Sequence, residues 1–321
     1  MPEISFKEFT YLSADGRTTV HAYIWAPVDV PPVAVVQLSH GMCEYVQRYD
    51  EWARRFAARG IVFCGNDHLG HGHTAPDEDE LGFTDPDHGA VYLMEDLHTM
   101  TALMRKRYEN LPIFLYGHSM GSFAARYYVT QYGEELAGVL ISGTAGPGQP
   151  AGAGKAMAAH LGKRLGYHHR SKFLTSLAFG SYNKRFGKED DPDAWLTRDK
   201  AVREAYAKDP FCKYVFTTTG YHTLFTLLFI VSQKEWPEKV PKNLPIFLFS
   251  GDMDPVGNYG KGIKKLYKRL RASGCNVTMK LYKNGRHEMH NELNKDEVFE
   301  DIYAFLAQIP QPLAGGRRYE L

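Results

Sequence analysis

Cysteine is scarce and scattered in this chain. Cys43, Cys64, Cys212 and Cys275 lie far apart, with no Cys-x-x-Cys pair. That spacing argues against a disulfide framework and for free thiols in a reducing cytoplasm, so a cytoplasmic location is expected. An excess of one charge is also missing. The 38 Lys and Arg stand against 37 Asp and Glu, a net charge of +1, so nucleic acid is not expected as a partner. Long apolar runs are absent too. The longest, Leu224 to Val231, is interrupted by Thr226 and is too short to span a bilayer. The N-terminus has no basic segment followed by an apolar core, and so no signal peptide is expected. There is no internal repeat. What remains is a chain of 321 residues, 44% hydrophobic and 23% charged. That fits one large soluble domain, or one domain carrying a substantial insertion.

Periodicity organises the chain into alternating strands and helices. Ile4 to Leu12 and Thr18 to Trp25 alternate apolar and polar residues about Asp15-Gly16, the pattern of an antiparallel hairpin. Val33–Leu38, Ile61–Cys64, Pro112–Leu115, Leu136–Ile141, Pro245–Phe249 and Val277–Tyr282 read as strands. Helices are expected at Arg48–Arg59, Glu95–Tyr108, Ser122–Tyr132, Lys261–Leu270 and Asp296–Leu306. Between 151 and 240 the alternation stops, and the sequence offers helices with no convincing buried strand. The tail Pro310–Leu321 is expected to be loose. These readings predict an α/β protein with a mostly parallel central sheet, helices on both faces and a helical cap insertion. The core spans 1–145 and 241–321 and the cap 146–240. A cap entering after the sixth strand lies over the strand C-termini, where open α/β sheets place their sites.

The stretch Tyr116-Gly117-His118-Ser119-Met120-Gly121 sits between a predicted strand and a predicted helix. Strand, Gly-x-Ser-x-Gly and helix form a turn too tight for a β-carbon at either glycine, which leaves Ser119 strained at its apex. The helix behind it offers free N–H groups to a developing anion. A serine nucleophile needs a base, and the base needs an orienting acid. In the order Ser, Asp, His, both must follow Ser119 at strand ends. Ser250-Gly251-Asp252-Met253-Asp254-Pro255 supplies two competing aspartates. Asp254 is favoured as the carboxylate past the strand end, with Asp252 expected to make a turn hydrogen bond. Gly285-Arg286-His287-Glu288-Met289-His290 supplies the base. His287, just past a glycine turn, is favoured over His290. The oxyanion donors are the Met120 N–H and, from Ser39-His40-Gly41-Met42-Cys43-Glu44, the Met42 N–H.

At these residues the chain resembles the α/β-hydrolase fold superfamily, and within it the monoacylglycerol lipase and lysophospholipase-like group, also classed as serine aminopeptidase-like hydrolases. The resemblance rests on His40 to Glu44 with Arg48-Tyr49, on Asp67-His68-Leu69-Gly70-His71-Gly72, on Gly117 to Gly121, and on Gly251 to Pro255 with Arg286-His287-Glu288. It implies a Ser119–His287–Asp254 triad, Met42 and Met120 as donors, no cofactor, and a small-molecule ester substrate with an acyl chain. It also implies a supporting set of His40, Gly41, Glu44, Arg48, His118 and His290, in which Glu44, Arg48 and His290 brace the loop bearing His287. The cap matches the group less well than the core.

Asp67, His68, His71 and His73 crowd together in a way that could ligate a metal, but the rest of the sequence calls for none and no metal is expected. Phe211, Tyr214, Phe216, Tyr221, Leu224 and Phe225 suit either an acyl chain or the cap's own core. Residues 154–166 set Met157, Leu161 and Leu165 against Lys155, Lys163 and Arg164, an amphipathic pattern open to a solvated helix or to transient membrane contact. Two rival functions remain. One is an amidase or aminopeptidase, in which Glu189, Asp190, Asp191 or Asp193 holds the substrate amine. The other is a non-catalytic ligand-binding protein of the same fold.

Overall fold

A computed structural model describes residues 3–189 and 191–308. The expected tail, 310–321, and Asp190 lie outside the described residues. In chain order the strands are β1 (Ile4–Leu12), β2 (Thr19–Pro27), β3 (Ala34–Ser39), β4 (Ile61–Asn66), β5 (Ile113–His118), β6 (Gly138–Ser142), β7 (Ile246–Gly251) and β8 (Val277–Tyr282). The helices are α1 (Asp50–Ala58), α2 (Gly89–Arg107), α3 (Met120–Tyr132), α4 (Ala151–Leu165), α5 (Lys172–Phe179), α6 (Lys200–Lys208), α7 (Thr218–Ser232), α8 (Lys261–Ala272) and α9 (Lys295–Ala307). One sheet takes the order β1-β2-β4-β3-β5-β6-β7-β8. The opening hairpin pairs antiparallel, β2 joins β4 antiparallel, and every later pairing is parallel. The loops after β3, β5, β7 and β8 therefore leave the same edge of the sheet.

Two apolar cores explain why the central strands read as continuous hydrophobic runs. Leu97 and Met100 of α2, Tyr128 of α3 and Leu266 of α8 cover one face, while Trp52 and Phe56 of α1 and Phe299 and Ile302 of α9 cover the other. Strands β3 to β7 are buried along their whole length, so neither face can alternate with polar residues. One helix differs from its expected bounds. The spacing predicts a start at Glu95, whereas α2 begins at Gly89. Ala90, Leu93 and Met94 extend its buried stripe, and Gly89 packs so tightly under Thr223 of α7 that a β-carbon would strike that hydroxyl. Tertiary packing, with no side-chain cap, sets this terminus.

Between β6 and β7 the chain carries α4 to α7. Among the described residues its only β pairing there is a single bridge between Arg170 and Thr217. Helix α4 lies on α7 through Gly154, Ala158 and Gly162, with Phe225 directly against Gly154. Its buried face is thus the small-residue one, while Met157 and Leu165 are exposed. Arg126 of α3 joins the two ends of this insert. Its guanidinium donates to Thr144 Oγ1 (3.2 Å), to the Ala145 carbonyl (3.0 Å) and to the Val231 carbonyl (2.8 Å). It also lies 4.5 Å over the Trp236 ring. Burial, with the like charge of Arg269, lowers Arg126 to about 9.

Candidate active site

Each candidate group owes its place to a local backbone rule. Ser119 follows β5 with φ 53° and ψ −120°, a conformation that costs energy for a non-glycine residue. The turn closes because its neighbours are glycine. A β-carbon at Gly117 would lie 2.7 Å from Ala125 Cβ, and one at Gly121 would run into the carbonyls of Ser39 and His40. The Ser119 N–H donates to Ser142 O at 3.0 Å, which ties the strained residue to β6.

Asp254 lies in the loop after β7 and is fully buried. Its Oδ1 accepts from the Val256 N–H (2.9 Å) and its Oδ2 from the Ser250 hydroxyl (2.8 Å). His287, after β8, places Nδ1 3.1 Å from Asp254 Oδ1. Burial alone would depress the imidazole, but the Asp254 carboxylate outweighs it and holds His287 above the ordinary histidine value. Asp252 is directed elsewhere, accepting from the Asn284 N–H at 2.7 Å across the two loops. His290 sits in a 3₁₀ turn, Met289–Asn291, stacked 4.2 Å from Tyr49. Burial pushes it down to about 3, so it is neutral. His118 packs between them, 4.8 Å from His287 and 4.9 Å from His290. Burial, with the two neighbouring imidazoles, keeps it well below the ordinary value.

The loop after β3 lies against the serine. A β-carbon on Gly41 would come within 3.1 Å of Ser119 Cβ. Among the described residues the N–H groups of Met42 and Met120 donate to no protein acceptor. His40 fixes this loop from behind. Its Nε2 accepts the His68 N–H at 3.0 Å, so the proton sits on Nδ1 and goes to Gly41 O at 2.8 Å. Glu44 accepts the Gly41 N–H, the Tyr49 hydroxyl (3.1 Å) and Arg48 (2.8 Å). Arg48 then reaches Glu288 with both terminal nitrogens at 3.0 Å. One guanidinium thus bridges the loop before Met42 and the residue after His287. Burial pushes Glu44 up. Burial would also raise Glu288, but Arg48 overrides it and holds that carboxyl low.

The crowded histidine loop spends its groups on itself. Asp67 accepts from the N–H groups of Val46 and His73, both at 2.9 Å, and His71 Nδ1 pairs with Leu69 O at 3.0 Å. Among the described residues no three His, Cys, Asp or Glu side chains converge as a metal site would require.

Two cavities meet at Ser119. The larger, about 730 Å³, is mostly apolar and reaches Met157, Phe173, Leu224 and Phe225. The smaller, about 360 Å³, reaches Glu44, Asp193, Lys213, Tyr206 and His287. Of the aromatic residues expected either to line a site or to fill the insert, Phe225 lines the first and Tyr214 and Tyr221 the second, whereas Phe216 is core. Nothing in the sequence assigned a role to Ser250, to Glu288 or to Trp195. Glu288 is adjacent to the expected base and is the one with a local signal.

Residues 30–294 match the family described as serine aminopeptidase S33. The chain belongs to that family. The match runs from before β3 to the turn before α9, so it takes in the insert and every candidate residue. Among this S33 protein's relatives is the monoacylglycerol lipase of Mycolicibacterium smegmatis, 27% identical across 93% of this chain and 96% of that one. The human monoglyceride lipase is also 27% identical, across 95% and 92%. Among solved structures, a thermostable carboxyl esterase from Bacillus coagulans in complex with glycerol superposes with a TM-score of 0.89. It is 32% identical, over 95% of this chain and 99% of that one. The α/β-hydrolase fold expected from the sequence is therefore the fold of this family.

Proposed function

We propose that this S33 protein hydrolyses carboxylic monoesters with an acyl chain on one side and a compact polar alcohol on the other, such as a monoacylglycerol or a lysophospholipid-like ester. The observation that carries the reading is the position of Ser119 between a larger, apolar-walled cavity and a smaller one whose wall also includes Glu44, Asp193, Lys213 and Tyr206, beside the His287–Asp254 pair. In this reading residues 146–240 are the cap that roofs both cavities. Ser119 Oγ attacks the ester carbonyl as its proton passes to His287, whose charge Asp254 offsets. The Met42 and Met120 N–H groups hold the oxyanion at the positive end of α3. His287 returns the proton to the departing alcohol and an acyl-enzyme remains. Water then attacks, gives its proton to His287, and the acid leaves as Ser119 is reprotonated. Glu44 and Arg48 keep the oxyanion loop in register with the base, and His118 and His290 pack against it as neutral rings. Exposed Met157, Leu165, Phe173 and Leu177, flanked by Lys155, Lys163, Arg164 and Lys172, suit brief contact with a lipid surface during substrate uptake.

The aminopeptidase reading needs a carboxylate free to hold an ammonium group. Glu189 pairs with Arg286 and Arg203, Asp191 with Arg203 at 2.7 Å, and Asp193 with Lys213 at 2.7 Å. These three carboxylates are thus tied down as ion pairs. The test is fluorophosphonate labelling of Ser119, followed by turnover of p-nitrophenyl esters, monoacylglycerols, lysophospholipids and aminoacyl amides. Labelling with fastest turnover of a monoester supports the reading. An aminoacyl amide cleaved faster than every ester replaces it with the peptidase, and an unlabelled Ser119 replaces it with a ligand-binding protein.

A further inference from the structure

Four residues line both cavities: Met42 and Ser119 from the core, and Phe179 and Trp195 from the insert. Trp195 is the member of the insert pair that also meets the base, its indole 4.9 Å from the His287 imidazole at 39°. The indole is itself held edge-on by Tyr182 at 5.0 Å and packs against Phe179 at 6.3 Å. Its backbone has little freedom. The Trp195 N–H donates to Asn183 Oδ1 at 3.1 Å, and its carbonyl accepts the His287 N–H at 3.4 Å. The segment around it runs along the base's loop. Leu196 O accepts the Glu288 N–H at 2.7 Å, the Thr197 hydroxyl donates to Asn291 O at 2.9 Å, and Arg198 pairs with Glu292 at 2.8 Å. Arg286 reaches back to the Ala194 carbonyl. This stretch of the insert is therefore anchored to the core loop that carries His287.

We propose that Trp195 partitions the active site: it seats the His287 ring and walls the smaller cavity off from the larger one, and so sets how large an alcohol the enzyme accepts. The inference rests on the ester-hydrolase reading above and adds a specificity and positioning residue to it. Two physical arguments support it. A large planar ring between the two cavities keeps a second acyl chain out of the smaller, alcohol side by volume alone. A ring packed against the base also limits its rotation, so the pair presented to Ser119 keeps its orientation when substrate arrives.

The test compares wild-type protein with Trp195→Ala and Trp195→Phe on a monoacylglycerol and a diacylglycerol of the same acyl chain. In Trp195→Ala the monoester-to-diester ratio of kcat/KM should fall at least about tenfold. This includes a loss in kcat on the monoester and a gain in the relative rate on the diester. Trp195→Phe, which keeps an aromatic wall, should restore most of the ratio. An equal fall for both substrates, or an unchanged ratio, overturns the partition.

A second measurement needs neither turnover nor the alanine variant. A protonated imidazole quenches an indole packed against it, so wild-type emission should drop as pH falls through the His287 titration. That drop should vanish in both Trp195→Phe and His287→Gln. His118, His290, Glu288 and Glu44 also face the ring, and the His287→Gln control separates them. A drop that persists in Trp195→Phe overturns the contact. Fluorophosphonate labelling of the wild type separates the two levels. No labelling refutes the hydrolase reading, while labelling with an unchanged ratio refutes only the role of Trp195.

Discussion

The core and the insert build opposite sides of one site by different means. On the core side, position comes from backbone. Ser119 is held by its own dihedral angles and two indispensable glycines, His40 by a main-chain N–H and a carbonyl, and Asp254 by a main-chain N–H and a serine. On the insert side, position comes from side chains of separate helices packing on one another, such as Phe225 on Gly154, and from ion pairs such as Asp193–Lys213. A backbone device tolerates almost no change, whereas a packed wall can be reshaped one residue at a time. The contrast suggests that chemistry is conservative in this molecule and specificity adjustable.

The largest effects should fall on the core. Ser119→Ala and His287→Ala should each cost on the order of 10⁴–10⁶ in kcat on a p-nitrophenyl ester, with the double variant little worse, because the residues act as one unit. Asp254→Asn should cost about 10⁴-fold, and Asp252→Asn no more than a few-fold. Near-normal turnover in Asp254→Asn with a dead Asp252→Asn would reverse the assignment of the acid.

Next comes the insert wall. Across a series of monoesters, kcat/KM should rise with acyl length by up to about fourfold per methylene, the ratio that about 0.8 kcal/mol per buried CH₂ gives. A bulky triacylglycerol should be a poor substrate. Leu224→Asn should flatten the series without abolishing turnover of the shortest ester, and a series already flat in the wild type would mean the apolar cavity takes no acyl chain.

The pH dependence sharpens the contrast further. His287 accepts a proton only when neutral, and Asp254 holds it above the ordinary value of about 6.5. The acid limb of kcat/KM should therefore have its midpoint above that value, with activity lost as pH falls through it. Asp254→Asn should move the residual activity's midpoint downward, since burial then meets only the weaker opposition of Glu288 and Glu44. The smallest effect belongs to the insert's partly exposed ion pairs. Lys213→Met should change stability by no more than about 1 kcal/mol, readable as a shift of a few degrees in Tm.

Why the two sides differ in sequence legibility follows from the same contrast. The strand-glycine-serine-glycine-helix pattern, the Asp254-Pro255 loop and the Gly285 turn each encode a geometry within a few residues, so the candidate site could be read on the core side. Asp254 and His287 fall together because β7 and β8 are neighbours in a parallel sheet, which the alternation of elements already implied. The starting point of α2 was not readable, because a helix of the insert fixes it. Nor was the role of Trp195, which depends on His287, 92 residues further along the chain, or the face on which α4 is buried. Met157 and Leu165 stand out as the apolar side of an amphipathic pattern, yet glycine and alanine make the close contact with α7.

The Arg126 staple has a consequence for how such a protein can change. By holding the Ala145 and Val231 carbonyls on one guanidinium, it fixes the distance between the start of the insert and the end of its last helix, α7. Loop-closure entropy rises only with the logarithm of length, about 0.6 kcal/mol for each doubling. With its ends fixed, the intervening chain can grow, shrink or be exchanged at small entropic cost, and the strained serine below need not register the change. A lineage carrying this staple has a fixed base plate and an interchangeable insert.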